Sequence, residues 1–406
     1  MKTKLVVLAL AVVAAAGSLL SLGDRQECST LVASGAATAD RVPLLWKNRD
    51  TDQLSNKVVF VGDRPFSYLA LVNADDTAGR MAWAGVNSAG FAIANSVAYN
   101  LPLASGEQED LEGIIMADAL RTCSTIADFE QQLKRSFGPD LGSRANFLVI
   151  DATGGAAIFE VHNHGSWRLD AADSPDRYLV NTNFSRSGTE DQGAGYLRFD
   201  RETALLRTLP AGALSHEQIL QVLSRDLGHA LLRNPERADW KKLPPDVPYW
   251  IHTNYTINRP STSAAVVVQG VGPGEDPRRT TMWVVLGEPV TSIAVPLWVA
   301  AGTPPPELWE GKDAPLCKEA LRIKNVLRPL KSRERREYLD LTRLDNSAGT
   351  GWLPTTLSTE RDVFQKTRDL LKTNPSDSDL AAFERATAGR VLSALQGIAV
   401  TPSPSR

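Results

Sequence analysis

Cysteine and histidine are scarce: this chain of 406 residues has three of the first and five of the second. Cys28, Cys123 and Cys317 are too few and too far apart for a disulfide framework or a four-thiolate zinc site. Charge of one sign is lacking too. Lys and Arg number 44 against 47 Asp and Glu, a formal net charge of −3, which gives no reason to invoke nucleic acid as a partner. After Leu22 no apolar run approaches the length of a membrane span. The chain has no Gly-x-Gly-x-x-Gly fingerprint, no phosphate loop ending in Gly-Lys-Ser/Thr and no Gly-x-Ser-x-Gly elbow. Gly270, Gly272 and Gly274 read as a loop between two strands. His216-Glu217 opens like a zinc-protease helix, but Leu220 stands where the second histidine is required. His162 and His164 share a strand face with no further ligands in view. These absences narrow the chemistry, and neither a metal nor an organic cofactor is expected.

What is present is a large core and a leader. Hydrophobic residues make up 43% and charged residues 22%, which suits a globular protein with a sizeable interior. Met1 to Lys4 carries two lysines, and Leu5 to Leu22 follows without charge, the pattern of a secretory signal. Ala14 and Ala16 supply small residues at the spacing of a cleavage site. Residues 1–27 therefore read as a signal peptide with a short propeptide, and the protein as exported, periplasmic or secreted. A lipoprotein signal would also place a cysteine near Cys28, but Arg25, Gln26 and Glu27 are the wrong chemistry before it.

Residues 28–301 are dominated by short β-prone runs, among them 28–33, 42–46, 57–61, 67–73, 91–96, 146–151, 156–162, 263–269 and 280–286, punctuated by Gly, Asn and Asp turns. Helical stretches at 111–120, 126–137, 195–208 and 216–223 interrupt them without regular alternation. The fold class expected is α+β, with mainly antiparallel sheets in layers. The run Thr303-Pro304-Pro305-Pro306 marks a boundary. Residues 302–406 then show helical spacing with many charges at 316–326, 333–344, 358–371 and 379–395, a helical C-terminal extension.

One cysteine has a chemical use that needs no partner residue. If the chain is cut before Cys28, that residue carries a thiol and a free α-amine. The amine titrates near 8, so it can act as base for the thiol close to neutral pH. Local structure favours this use. Cys28–Ala33 reads as a strand, residues 35–40 as a turn and 42–46 as the return strand. Antiparallel pairing then sets Cys28 opposite residues 48–50, in the run Lys47-Asn48-Arg49-Asp50. Alternation puts Lys47 and Arg49 on one face, and Asn48 and Asp50 on the other. An acid there would hold the new ammonium, and a base would favour thiolate.

Cys28-Ser-Thr followed by Leu44-Leu-Trp-Lys-Asn-Arg-Asp50 resembles the opening of the cysteine N-terminal nucleophile (Ntn) hydrolases, the superfamily of penicillin V acylases, bile-salt hydrolases, acid ceramidases and isopenicillin-N acyltransferases. Gly85 to Asn95, Asn146 to Glu160, Val180-Asn-Thr-Asn183 and Tyr196-Leu-Arg198 resemble further blocks of that group, in the same order. The resemblance implies a four-layer αββα sandwich over 28–301 and an amidohydrolase. It implies Cys28 as nucleophile and base, Asp50 holding the α-amine and Asn183 donating to the oxyanion, with a backbone N–H near Asn95 as second donor. Arg198 would support thiolate or substrate, and Lys47 would take part in catalysis. The substrate implied is a small linear amide that is not a peptide, cleaved through a thioester on Cys28, with acyl transfer to a second amine as a variant. Lys47 stands where bile-salt enzymes have arginine, and Ser88 replaces the acid of the Gly-x-Asn block, which argues against bile-salt specificity. Arg259 could reach the site from Asn258-Arg-Pro-Ser-Thr-Ser263, although turn chemistry explains it more simply. An exported binding or envelope protein that keeps the fold without catalysis stays open, as do the acyl and amine specificities and the oligomeric state.

Overall fold

The computed structural model describes residues 27–330 and 335–399. The signal and most of the propeptide expected at 1–27 lie outside them; only Glu27 is inside. In chain order the elements are β1 (Glu27–Ala33), β2 (Leu44–Asp50), β3 (Asn56–Val61), β4 (Tyr68–Asn73), β5 (Ala84–Asn87), β6 (Ala92–Val97), α1 (Glu112–Thr122), α2 (Ile126–Ser136), β7 (Arg144–Ile150), β8 (Ala156–His162), β9 (Gly165–Asp170), β10 (Tyr178–Asn181), α3 (Tyr196–Leu206) and α4 (His216–Gln218). There follow α5 (Arg237–Trp240), β11 (Trp250–His252), β12 (Thr262–Gln269), β13 (Thr281–Leu286), β14 (Val295–Leu297), α6 (Pro315–Leu327), β15 (Tyr338–Asp340), α7 (Leu341–Leu344), α8 (Leu353–Lys372) and α9 (Asp377–Gln396).

Two antiparallel sheets lie face to face. One has the strand order β10-β1-β2-β12-β13-β14; the other is a meander, β3 to β9 in sequence order. β1 and β2 are buried along nearly their whole length, because the second sheet covers one face and helices cover the other. The slot between the sheets is filled by alternate side chains of both, Val32 and Leu45 from one and Ala94 and Leu148 from the other. On the outside of the meander sit α1 and α2, where Phe129 packs edge-on against Phe147 and Phe159. The layer order is therefore helix, sheet, sheet, helix, the sandwich expected from the sequence.

The C-terminal tail builds the outer helix layer over β13 and β14, while α3 and α4 lie against β10 and β12. Cys317 and Ile323 of α6, Phe364 of α8 and Val391 and Leu395 of α9 belong to the same apolar cluster as Leu31, Trp46 and Val266. The helices of 302–406 thus share the core of the sheets. Arg225 and Glu360, both fully buried, pair at 2.8 Å across this seam. From residue 335 on, the helix expected at 333–344 is replaced: Arg335–Glu337 is a 3-10 turn, Tyr338–Asp340 pairs with Trp250–His252, and only Leu341–Leu344 is α-helical. Among the described residues no helix is long and apolar enough to cross a membrane.

Candidate active site

The β1–β2 hairpin sets Cys28 opposite Arg49, Glu27 opposite Asp50 and Thr30 opposite Lys47. Directly opposed residues of an antiparallel pair project to one face. Cys28, Lys47 and Arg49 therefore point into the slot between the sheets, and Glu27 and Asp50 point to the outer face. The site straddles the start of a strand and draws polar groups from both sides of it.

On the inner face Lys47 is almost fully buried. Its Nζ donates to Asn95 Oδ1 at 2.6 Å and to the Trp83 carbonyl at 2.9 Å. Burial lowers its pKa to about 8, with the neighbouring Arg49 adding to the shift and Cys28 opposing it. Arg49 donates to Asn56 and, at 2.7 Å, to Asn73, and its guanidinium lies 4.7 Å over the Trp83 ring. Burial lowers its pKa to about 10. Two cations thus flank the thiol, and hydrogen bonds to neutral acceptors hold them in place.

On the outer face β10 ends at Asn181, so the ladder has no carbonyl left for the nitrogen of Cys28. Asn183 takes its place: the Cys28 N–H donates to Asn183 Oδ1 at 2.9 Å. Asn183 Nδ2 donates one hydrogen to the Val97 carbonyl at 2.9 Å, which leaves a second N–H on that nitrogen. Arg198 reaches the same spot from the first turn of α3. It donates to the Cys28 carbonyl at 2.7 Å, Ser29 Oγ at 3.1 Å, Asn183 Oδ1 at 2.8 Å and the Glu27 carboxylate at 2.8 Å. Gly195 makes this possible. Its φ is +81°, and a Cβ there would come within 2.5 Å of the Arg198 guanidinium.

Asp50 is 1% exposed. One of its oxygens accepts from Thr262 Oγ1 at 2.7 Å; the other has no hydrogen-bond partner and lies 3.9 Å from Arg259. Burial raises its pKa to about 6 despite Arg259 and Arg198. A buried carboxylate oxygen left without a donor is uncommon and calls for a reason. Arg259, 8% exposed in its side chain, also donates to the Glu27 carboxylate at 2.5 Å and to Asn254 at 2.9 Å. Glu27 is thus clamped between two guanidiniums. Burial opposes its ionisation, but the arginines prevail and hold its pKa below the ordinary value.

Every candidate from the sequence falls in this region: Cys28, Lys47, Asp50, Asn95, Asn183 and Arg198. Three residues of the cluster had no assigned role. Arg49 carried a signal, since the hairpin register sets it opposite Cys28. Arg259 arrives by long-range pairing of β12 with β2, which places Thr262 opposite Asp50; local turn chemistry concealed it. Glu27 had been read only as the last residue of a leader. Away from the site, the Cys123 thiol donates to Gln132 Oε1 at 3.1 Å, and Cys317 lies in the core against Leu54 and Asn56. His164 pairs with Glu107 at the surface.

No family model matches the chain, and no curated protein does. Among solved structures the chain is similar to the Caenorhabditis elegans ortholog of N-acylethanolamine-hydrolyzing acid amidase, at 14% identity over 63% of this chain and 99% of that one, with a TM-score of 0.40. It is also similar to a variant of conjugated bile acid hydrolase from Clostridium perfringens (11% identity, 64% and 89% covered, TM-score 0.37). Penicillin V acylase from Agrobacterium tumefaciens is a third (14%, 67% and 86%, TM-score 0.34).

Proposed function

We propose that the chain is an exported amidohydrolase whose working form begins at Cys28. The observation that carries this reading is the convergence of polar groups on the nitrogen of Cys28 as well as on the thiol side of its strand. A structural cysteine needs no side-chain carbonyl at its own amide and no orphaned carboxylate oxygen one ladder position away. An α-ammonium would use both, with Asn183 Oδ1 as acceptor and Asp50 as the charge that holds it.

The mechanism follows from the placement. The α-amine takes the thiol proton, and the Lys47 and Arg49 charges favour the thiolate. Sulfur attacks the carbonyl of a linear amide, and the remaining N–H of Asn183 is available to the oxyanion. Such a donor is worth roughly 10²–10³ in rate. The C–N bond breaks, and the amine leaves with the proton returned by the ammonium. Water then hydrolyses the thioester and restores the thiol; a second amine in place of water would give acyl transfer. The same thiol can attack the Glu27 carbonyl. The carbonyl moves from the Cys28 nitrogen to its sulfur, the nitrogen takes the thiol proton, and hydrolysis frees Glu27.

The test is the N-terminal mass of the mature protein, with Cys28→Ala beside it. The expected outcome is a chain that starts at Cys28, and an inactive variant that retains Glu27. A mature active form with residues still attached before Cys28, or amide hydrolysis by the variant, would refute the reading.

A further inference from the structure

The Glu27 clamp has a consequence for the processed enzyme. While Glu27 is attached, one carboxylate is shared by Arg198 and Arg259, whose side chains are 1% and 8% exposed. Cleavage removes that carboxylate and adds an ammonium at Cys28. Arg198 then keeps only neutral partners: the Cys28 carbonyl, Ser29 and Asn183. Arg259 keeps Asn254 and the more distant Asp50. Glu202, one turn beyond Arg198 in α3, is fully buried, and its burial favours the protonated form, so it adds little negative charge. Two buried guanidiniums and an ammonium then face the single carboxylate of Asp50. Buried charge without a counter-charge is costly, so an anion gains by filling the space that Glu27 leaves.

We infer that, in the processed enzyme, Arg198 and Arg259 hold a carboxylate on the acyl half of the substrate, three carbons from the scissile carbonyl. This rests on the amidohydrolase reading and names its substrate class: amides of a glutaryl-like diacid. The acyl half follows from connectivity. Glu27 is the acyl component of the bond cut in maturation, so the thioester formed there on Cys28 already carries a carboxylate at this spacing. An incoming glutaryl amide makes the corresponding thioester. Sulfur adds to the carbonyl, the C–N bond breaks, the amine leaves protonated, and water releases glutarate and the thiol.

The experiment uses the full chain, processed and verified by mass, with a set of 4-nitroanilides. Glutaryl is compared with its neutral isostere glutaramyl, with succinyl and adipoyl, and with a neutral acyl anilide that carries a carboxylate on its ring. The expected result is a kcat/KM for glutaryl on the order of 10- to 100-fold above glutaramyl, the range of charge-assisted hydrogen bonds. Succinyl and adipoyl should fall between them, and Arg259→Gln should collapse the glutaryl-to-glutaramyl ratio. Equal turnover of glutaryl and glutaramyl, or a gain only from the ring carboxylate, overturns the inference and leaves the amidohydrolase reading standing. If no anilide is cleaved, the amidohydrolase reading fails instead. The cradle is then read by alkylation of Cys28 with iodoacetamide: slowing by glutarate but not by butyrate supports it, and no difference refutes it.

Discussion

Glu27→Gln separates the proposed precursor from the enzyme it would become. In the precursor the Glu27 carboxylate receives Arg198 Nη2 at 2.8 Å and Arg259 Nη1 at 2.5 Å, and its side chain is 16% exposed. Hydrogen bonds to charged groups contribute about 1.5–3 kcal/mol each. Glutamine keeps one acceptor oxygen but turns an NH₂ towards a guanidinium, so the substitution should cost the precursor about 2–4 kcal/mol. Measured in a Cys28→Ala background, which cannot process, this appears as a lower unfolding midpoint. In the proposed cut the clamp would also fix the carbonyl that the thiol attacks. If its hold on that carbonyl is stronger in the transition state than in the resting precursor by about 1–2 kcal/mol, processing slows roughly 5- to 30-fold. Intact mass against time reads that rate directly. The control is built in: after cleavage both proteins begin at Cys28 and are the same molecule, so their kcat/KM values must coincide. Wild-type processing together with an unchanged midpoint would refute the role of the clamp. Different activities of the two mature forms would mean that the cut lies elsewhere.

Three further outcomes are expected. Burial raises Asp50 to about 6 and lowers Lys47 to about 8. Processing should therefore rise with pH as Asp50 ionises and fall as Lys47 discharges; Lys47→Arg, which stays charged, should remove the alkaline limb and leave the acid one, and an unshifted alkaline limb would rule out Lys47 as its source. Glu360→Gln strips the counter-charge from the fully buried Arg225; chemical denaturation should show a loss of about 3–5 kcal/mol, with kcat/KM of the surviving folded protein close to wild type. Glu384 accepts the Trp298 N–H at 2.7 Å, and burial raises its pKa to about 8 from an ordinary 4.5. A raised acid stabilises the fold fully below its unfolded value and loses that contribution as pH rises through the folded one. Thermal melts should thus decline from about 4.5 to about 8 in the wild type, and Glu384→Gln should flatten that decline.

What was legible in the sequence depended on distance along the chain. The β1–β2 register could be worked out because a turn of known position and a two-residue alternation determine which residues face each other. The strand at 338–340 was hidden because its partner, 250–252, lies far away and neither run is long enough to carry a period. β9 was missed for a different reason: it is an edge strand, half exposed, with no clean alternation. The tail helices were readable as helices from their spacing, but an apolar face does not say what it will cover. It covers the β13 and β14 side of the six-stranded sheet.

Glu27 was the least legible residue, since a leader is read by whether it is removed and not by what it touches. Its contacts become meaningful only when the charges are counted on both sides of the cut. Before it, Arg198 and Arg259 are balanced by Glu27 and Asp50. After the proposed cut, the same two arginines and a new ammonium would share Asp50 alone. Asp50 stands between the two states: its oxygen without a hydrogen-bond partner would gain a donor in the proposed enzyme as the clamp loses its acceptor. In the proposed enzyme the α-amine would sit among cations, which disfavours its charged form and leaves it the neutral form a base must have. On this proposal, a clamp that holds Glu27 before the cut would prepare the base after it. For this reason an anion that refills the cradle should do more than improve binding: by restoring negative charge beside the amine it should raise the pKa of the acid limb in kcat relative to kcat/KM. That separation is measurable with any substrate pair differing only in the distal carboxylate, and coincident limbs would show that the cradle and the amine are not coupled.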